Sequence, residues 1–313
     1  MVAKPTFDPA DRVVPGRELL AYEVPSSLGS KDALIVRILR VLEAEACLGR
    51  ADVDRVELAL DEAIKNAMVH GNGLDPARRV RVRIAADGQR WSISIEDEGA
   101  GMRPEKVPAP LSPGDDLRES GFGIILIGDA FEDMVYAGRG NRLVLTRGRS
   151  APDPESILRA RQPIPVPRDE DVERSHFVPP AEGPIRMVDL ETPRPARPVP
   201  AAGGDILEVR QVGGVPVVEI LTPKLGDHNV EKLRAALLHV AETAPRMVID
   251  LSRVEYVSSV VLGAFIGVIK RAAARRAKIA FACLSPRIVD LLDSTGIGKL
   301  VQAYPDVDSA VKG

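Results

Sequence analysis

The chain has 313 residues, a length that indicates two domains rather than one. Hydrophobic residues make up 45% and charged residues 28%, values typical of globular proteins that exclude a wholly disordered chain. The formal net charge of −3 gives no indication of a dedicated nucleic-acid-binding surface. The two cysteines lie far apart, which excludes a disulfide framework and a cysteine-rich zinc site. Because neither a signal peptide nor an 18-residue apolar run is visible, we expect a cytoplasmic protein that does not span a membrane.

Prolines mark the boundary between the two predicted domains. Twelve of the 26 prolines fall between Pro152 and Pro200, in a stretch with many charges and little hydrophobic periodicity. Such a segment buries too little apolar surface to offset its ordering entropy, so it is predicted to be an extended linker. The expected organisation is a domain at 1–150, a linker at 151–204 and a second domain at 205–313.

Two amphipathic helices are predicted early in the first domain. The first spans Ala33 to Cys47, and the second is capped by Asp52 and ends at the breaker Gly71-Asn72-Gly73. Glu62, Asn66 and His70 recur every fourth residue of the second helix and therefore share a face. An amide oxygen there can ligate Mg²⁺, and a carboxylate can polarise a hydroxyl beside a transferring phosphoryl group. A solvated polar face is the alternative interpretation of the same pattern.

Glycine motifs follow a predicted hairpin. Alternating apolar residues at 79–85 and 91–95 predict two strands, and the second leads into Asp97-Glu-Gly-Ala-Gly101. The glycines permit close backbone approach, and Asp97 can accept a hydrogen bond from an exocyclic amine such as that of adenine. A proline-rich span at 103–120 precedes Gly121-Phe-Gly123, which opens an apolar helix where a phosphate can dock. A glycine turn between two elements is the plainer interpretation of that last motif. A final strand at 142–147 carries Thr146.

In this order, ExxxN on a helix, DxGxG after a strand, a variable lid and GxG entering a helix resemble the motifs of the GHKL ATPases, which have the Bergerat fold. The segments ELALDEAIKNAMVHGN, DEGAGM and ESGFGIILIGDAFEDMVY are similar to those of the anti-sigma factor serine kinases, over about residues 20–148. The resemblance implies an N-terminal α/β sandwich that binds ATP and Mg²⁺ and phosphorylates a protein serine.

The resemblance also implies a role for each motif residue. Glu62 is the implied catalytic base and Asn66 the implied Mg²⁺ ligand, while His70 either orders the site or caps the helix end. Some members have a lid arginine where Glu119 stands here, so Arg118, one residue earlier, is the candidate for stabilising phosphoryl charge. The remaining implied nucleotide-binding residues are Asp97 at the adenine, Gly99, Gly101, Gly121 and Gly123 along the nucleotide and lid, and Thr146 near the adenine.

The second domain alternates strands and helices, which predicts an α/β fold with one central mixed sheet. IDLSRVEYVSS, the helix after it and LLDSTGI resemble the STAS domain of anti-sigma factor antagonists over about residues 205–312. The resemblance implies that Ser259, or alternatively Ser258, accepts a phosphoryl group at the start of that helix. A serine that simply caps the helix is the other interpretation.

Together the resemblances imply a partner-switching transcription regulator. The implied partners are a sigma factor, a separate STAS-domain antagonist or kinase partner, and the chain's own STAS domain in cis or in a second copy. Pairing of two copies through the kinase domain is also implied, whereas nucleic acid and membranes are not expected partners. The alternative function is a non-catalytic, nucleotide-dependent scaffold that uses the STAS domain for docking.

Overall fold

A computed structural model describes residues 3–10, 16–102, 121–150 and 206–313, which form two compact α/β units. The predicted linker at 151–204 and the predicted lid at 103–120, with Arg118, lie outside these residues. Among the helices of the described ranges, none is both long and apolar enough to cross a membrane.

The N-terminal unit is a six-stranded sheet with helices packed on one face. Its elements are β1 (Pro5–Asp8), β2 (Arg17–Pro25), α1 (Leu28–Ala44), α2 (Arg50–Asn66), β3 (Arg79–Ala86), β4 (Arg90–Glu96), α3 (Phe122–Ala130), β5 (Asp133–Ala137) and β6 (Arg142–Gly148). The strand order is β1-β5-β6-β4-β3-β2, with β1 and β5 parallel and the other pairs antiparallel.

The register of this sheet separates a helix-covered face from an outer face. Tyr22, Val82 and Ile95 form one cross-strand row, which Leu143 and Tyr136 continue. This row faces the helices, because Arg37 of α1 donates a hydrogen bond to the Tyr22 hydroxyl at 2.8 Å. Side chains alternate between faces along each strand, so the neighbouring rows point to the outer face.

Several N-terminal elements differ from the prediction. The sequence analysis predicts neither β1, β2 nor β5, although Leu20, Tyr22 and Val24 alternate along β2 in the period of a strand. Helix α1 begins at Leu28 rather than Ala33. The residue at the N-cap of α2 is Gly49, so Asp52 does not cap the helix. Asp52 lies instead in the first turn, where its carboxylate pairs with Arg147 of β6 at 2.6 Å.

The C-terminal unit has the predicted order of strands and helices. Its elements are β7 (Leu207–Val212), β8 (Val215–Ile220), β9 (Lys224–Leu225), α4 (Val230–Thr243), β10 (Arg246–Asp250), β11 (Tyr256–Val257), α5 (Ser259–Ala274), β12 (Lys278–Ala282), α6 (Pro286–Ser294), a 3₁₀ turn (Ile297–Lys299), β13 (Gln302–Tyr304) and α7 (Val307–Lys312). Five strands form the central sheet in the order β13-β12-β10-β8-β7. Only the β7–β8 pair of this sheet is antiparallel, so the predicted mixed sheet is confirmed.

Both faces of the central C-terminal sheet are packed. Helices α4 and α5 pack against each other, and Phe265 of α5 meets Phe281 of β12 edge-to-face with ring centroids 5.3 Å apart. On the opposite face, Ala310 of α7 packs against valines and alanines of β8, β10 and β12. The separate pair of β9 and β11 runs parallel and leads directly into α5.

Because each unit has its own core, we expect the two units to unfold independently. Trp91 is the only tryptophan of the chain, is 1% exposed and lies in the N-terminal core, so its emission reports that unit alone. Phe281→Ala removes a fully buried ring from the other unit and should destabilise it by about 3–5 kcal/mol. We expect the denaturant midpoint followed by far-UV circular dichroism to fall while the Trp91 emission midpoint stays unchanged. Equal shifts of both midpoints would show that the chain unfolds as one unit.

Candidate functional site

Helix α2 places two of the predicted site residues on one face. Glu62 is 2% exposed and Asn66, one turn later, is half-buried. His70 is exposed. The helix therefore brings the predicted base and metal ligand together, whereas it leaves His70 outside their buried surroundings.

A lysine that the sequence analysis did not single out lies beside Glu62. Lys65 is buried, and its Nζ is 3.6 Å from Glu62 Oε1. On the same helix, the buried Asp61 pairs with Lys31 of α1. Burying a carboxylate costs free energy unless a cation or hydrogen bonds compensate its charge. The nearby Lys65 ammonium provides such compensation and so favours the buried position of Glu62. In the sequence, the spacing of three residues between Glu62 and Lys65 already indicates that the two side chains are neighbours on a helix.

Helix α2 continues beyond Asn66 as a π-helical turn, Ala67–Gly71. The N–H of Asn72 donates to Ala67 O at 2.9 Å, the wider spacing that defines such a turn. The Asn72 side chain is 2% exposed and makes two hydrogen bonds. Its Oδ1 accepts from Glu98 N at 2.8 Å, and its Nδ2 donates to Arg79 O at 2.9 Å. Asn72 thus attaches the end of this helix to β3 and to the loop after β4.

Glycines allow the loop after β4 to contact the end of the π turn. A Cβ on Gly71 would lie 2.3–2.6 Å from the Asp97 carboxyl group, and one on Gly99 would lie 2.0 Å from Gly71 O. Gly101 has φ +83° and would place a Cβ 2.1 Å from Arg139 O. Gly99 and Gly101 are therefore required by contacts within the protein itself, in addition to any contact with a nucleotide.

Asp97 follows β4 directly, on the face that the helices cover. Its Oδ1 accepts from Gly99 N at 2.8 Å. Burial raises the pKa of Asp97 to about 6, although the Gly99 N–H and the Arg139 guanidinium act in the opposite direction. Burial, with the charge of Asp97 as a second cause, raises the pKa of Tyr136 to about 12. A carboxylate accepts about four hydrogen bonds, so the Gly99 bond leaves Asp97 able to bind an amine donor.

Asn141, a residue that the sequence analysis did not identify, lies beside Asp97. Asp97 N donates to Asn141 O at 2.9 Å, and Asn141 Nδ2 donates to Asp97 O at 2.6 Å. Glu96, the last residue of β4, pairs with Arg142, the first residue of β6. Asn141, which precedes Arg142, therefore lies beside Asp97, which follows Glu96. The sequence Gly-Arg-Gly-Asn at 138–141 indicates a turn, and it is the sequence feature that could have drawn attention to Asn141.

The structure separates Thr146 from Asp97, the residue predicted to contact the adenine. Thr146 pairs with Ser92, on the outer face, and its hydroxyl is 3.0 Å from the Ser92 hydroxyl. Five residue steps, about 17 Å, separate Ser92 in this row from Asp97, which follows the end of β4. The alternation of side chains along β6 therefore places Thr146 on the face opposite to Asp97, and the register places it far from Asp97 along the strand.

Gly121 and Gly123 lie at the start of α3, as predicted. Gly121 is exposed, with φ +94°, and among the described residues, its chain neighbours aside, no atom lies within 4 Å of the place where a Cβ would stand. Gly123 lies half-buried in the first turn. The free N–H groups of a helix start attract anions, so this turn is able to receive a phosphate. Helix α3 is joined to α2 by the pair Arg55–Asp129, whose Nε and Oδ2 are 3.4 Å apart.

In the C-terminal unit, Ser258 precedes α5 and Ser259 is its first residue. Ser258 occupies the N-cap position, as one interpretation predicted, but its side chain makes no capping hydrogen bond. Its Oγ donates instead to Asp227 Oδ1 at 3.3 Å, and its N–H donates to Leu225 O at 2.9 Å. Both serines are buried, at 2% and 9% exposed.

Comparison with sequence families assigns both units. Residues 25–147 match the family described as "Histidine kinase-like ATPase domain", and residues 207–310 match the STAS domain. The chain joins a histidine kinase-like ATPase domain to a STAS domain. The order of the two domains agrees with the expectation from the sequence motifs.

The ATPase domain has relatives of two kinds. It is 28% identical over 102 residues to an anti-sigma F factor of Clostridium acetobutylicum, which covers 31% of this chain and 70% of that protein. It is 29% identical over 110 residues to the sensor histidine kinase MtrB of Mycobacterium tuberculosis, covering 33% of this chain. The chain spans only 19% of the length of that sensor kinase.

The STAS domain is similar to solved structures of anti-sigma factor antagonists. One from Mycobacterium paratuberculosis is 26% identical, with a TM-score of 0.32, over 34% of this chain and 90% of that one. A STAS domain protein from Planctomyces limnophilus is 23% identical, with the same TM-score of 0.32, over 34% of this chain and 94% of that one.

The contact between Gly99 and Gly71 predicts a large stability difference between two glycine substitutions. Gly99→Ala forces a Cβ against the Gly71 carbonyl and should lower the unfolding free energy of the ATPase domain by about 1–3 kcal/mol. Gly88→Ala, in the β3–β4 turn with nothing within 4 Å, should change it by less than about 0.5 kcal/mol. Denaturant titrations followed by Trp91 emission measure both, and similar values for the two variants would contradict the close contact.

The raised pKa of Asp97 predicts a pH-dependent gain in stability from Asp97→Asn. The pKa of Asp97 in the folded domain, about 6, exceeds the ordinary aspartate value of 3.8, so the folded domain holds the proton more tightly and loses stability as pH rises between these values. The full shift corresponds to about 3 kcal/mol, which partial solvent access reduces to about 1–2 kcal/mol. Relative to its value at pH 4, the unfolding free energy of Asp97→Asn minus wild type should therefore rise by that amount up to pH 7 and then level off. A difference that is flat with pH would show that Asp97 has an ordinary pKa.

Proposed function

We propose that the ATPase domain is a protein serine kinase that uses ATP and Mg²⁺, and that the chain regulates a sigma factor by partner switching. The main support is the order of the site residues along α2. Gly71 contacts Asp97, while Asn66 and Glu62 lie about 7 and 13 Å farther along the helix axis. An adenine reader, a metal ligand and a base thus follow in the order of the adenine, the phosphates and the transferred group of ATP.

The residues around Asp97 fit an adenine. The carboxyl group lies against Gly71, where a Cβ would fill the space, and burial excludes much of the competing water. Asp97 would accept from the exocyclic amine, and the α3 start at Gly121 would receive phosphate oxygens. Asn66 supplies the kind of oxygen that Mg²⁺ takes alongside phosphates, and the metal would neutralise charge on those phosphates.

Glu62 would act as the general base. In the proposed step, the serine hydroxyl oxygen bonds to the γ-phosphorus, the bond to the β,γ-bridging oxygen breaks, and the proton passes to Glu62. ADP is the leaving group. Lys65, 3.6 Å from Glu62, would keep the carboxylate oriented toward the hydroxyl. Arg118 remains the proposed lid cation, and it lies outside the described residues.

The proposed partners follow from the two domains and their relatives. The acceptor would be a STAS-domain serine, either Ser259 of this chain, in cis or in a second copy, or a serine on a separate antagonist. In the unphosphorylated state the antagonist surface would bind a kinase domain in competition with the sigma factor. A tether of about 50 residues gives the two domains a high effective concentration for each other. Two copies would pair through the ATPase domain.

A nucleotide-dependent scaffold is the second candidate function. Glu119 stands where some related kinases have an arginine, and both candidate acceptors, Ser258 and Ser259, are buried. A scaffold would bind ATP and change its docking without transferring a phosphoryl group.

Labelling with γ-labelled ATP distinguishes the two functions. For a kinase, Glu62→Gln should retain ATP affinity within about threefold but label an added STAS-domain acceptor about 100-fold more slowly or worse, because the base is lost. The matched control is Glu57→Gln, on another face of the same helix, which should leave both unchanged. ATP binding without label on any acceptor would support the scaffold, and unchanged labelling by Glu62→Gln would remove Glu62 from the mechanism.

A further inference from the structure

Three consecutive residues at the start of α5 differ greatly in solvent exposure. Ser258 and Ser259 are 2% and 9% exposed, whereas Val260 is 41% exposed. Phosphoryl transfer requires the acceptor oxygen to approach the γ-phosphorus in line with the leaving group. Of these three residues, only Val260 lies where another protein could reach its side chain, and valine has no hydroxyl.

Helix periodicity explains the burial of Ser259. Residues three and seven positions apart lie on one face of a helix, and Ser259 is followed at those spacings by Leu262 and Ile266, both fully buried. Val260 shares the opposite side with Arg271, whose side chain is 60% exposed. Ser259 would have to leave the core face of α5 for its hydroxyl to reach a kinase.

Ser258 is held by a different set of contacts. Its hydroxyl donates to Asp227 Oδ1, and its N–H donates to the carbonyl of Leu225. The loop that carries Asp227 is itself fixed by Asn229, whose Oδ1 accepts from Gly226 N at 2.9 Å and whose Nδ2 donates to Lys224 O at 3.0 Å. A phosphate on Ser258 would lose the hydroxyl donor and add negative charge beside a carboxylate.

We infer that Val260 occupies the acceptor position of this STAS domain, which therefore stays unphosphorylated while the ATPase domain modifies a serine on another protein. This inference rests on the proposed kinase function and replaces the assignment of Ser259 as acceptor. The STAS domain is then a docking module whose charge at the α5 start does not change with kinase activity. Regulation by phosphorylation acts on the separate acceptor.

A serine placed at residue 260 tests the inference in the full-length chain. Wild type and Val260→Ser are incubated with γ-labelled ATP and Mg²⁺, and mass spectrometry locates the phosphate. We expect at least tenfold more label in Val260→Ser, on residue 260, and none in the double variant with Glu62→Gln. Val260 is exposed, so its replacement should leave the fold intact, which circular dichroism checks. Val289→Ser, at another exposed valine (37%), is the matched control and should gain no label.

The possible results separate the inference from the kinase function. Phosphate on Ser258 or Ser259 of the wild-type chain would overturn the inference and leave the kinase in place. The same holds if Val260→Ser stays unlabelled while an added STAS-domain protein with an exposed serine becomes labelled. If no acceptor of any kind is labelled, the proposed kinase function fails and the inference falls with it.

Discussion

The ATPase domain depends on the close contact between the end of α2 and the loop that follows β4. Gly71 and Gly99 let the two backbones meet at distances that no Cβ would permit, and Asn72 closes the joint with hydrogen bonds to both sides. This joint places Asp97 at one end of the helix face that carries Asn66 and Glu62. The rigid helix then sets how far Asn66 and Glu62 lie from the point where Asp97 contacts Gly71, which a flexible loop could not do.

The starts of helices α3 and α5 differ in the groups that they expose to solvent. In the ATPase domain, no side chain of the described residues lies close to Gly121 at the start of α3, so the N–H groups there are able to meet a charged ligand. In the STAS domain, Ser258 and Ser259 are buried at the start of α5, and Val260 presents an apolar surface there. The side chain that is exposed at the start of α5 is therefore apolar, whereas the start of α3 carries glycines.

Much of the fold and part of the site could be predicted from the sequence. The spacing of Glu62 and Asn66 fixes their common face because helix geometry is local, and the apolar strands of the STAS domain are continuous enough to be recognised. The distance of Thr146 from Asp97 could not be predicted, because the face of Thr146 depends on the register of β6 against β4, which is a non-local property. The roles of Lys65, Asn72 and Asn141 depend on which elements meet in space, so no local pattern marks them. The burial of Ser259 was predictable from its helical spacing to Leu262 and Ile266, whereas motif similarity implied an accessible phosphoacceptor at Ser259.

The π turn at Ala67–Gly71 constrains chain length in a way that composition does not reveal. It accommodates one residue more than an α-helical turn would, and the next residue, Asn72, hydrogen-bonds to both Glu98 and Arg79. Deleting one residue between Asn66 and Asn72 would restore α geometry and rotate the asparagine by about 100° about the helix axis. A deletion within this segment should therefore destabilise the domain more than a substitution at an exposed position of the segment does.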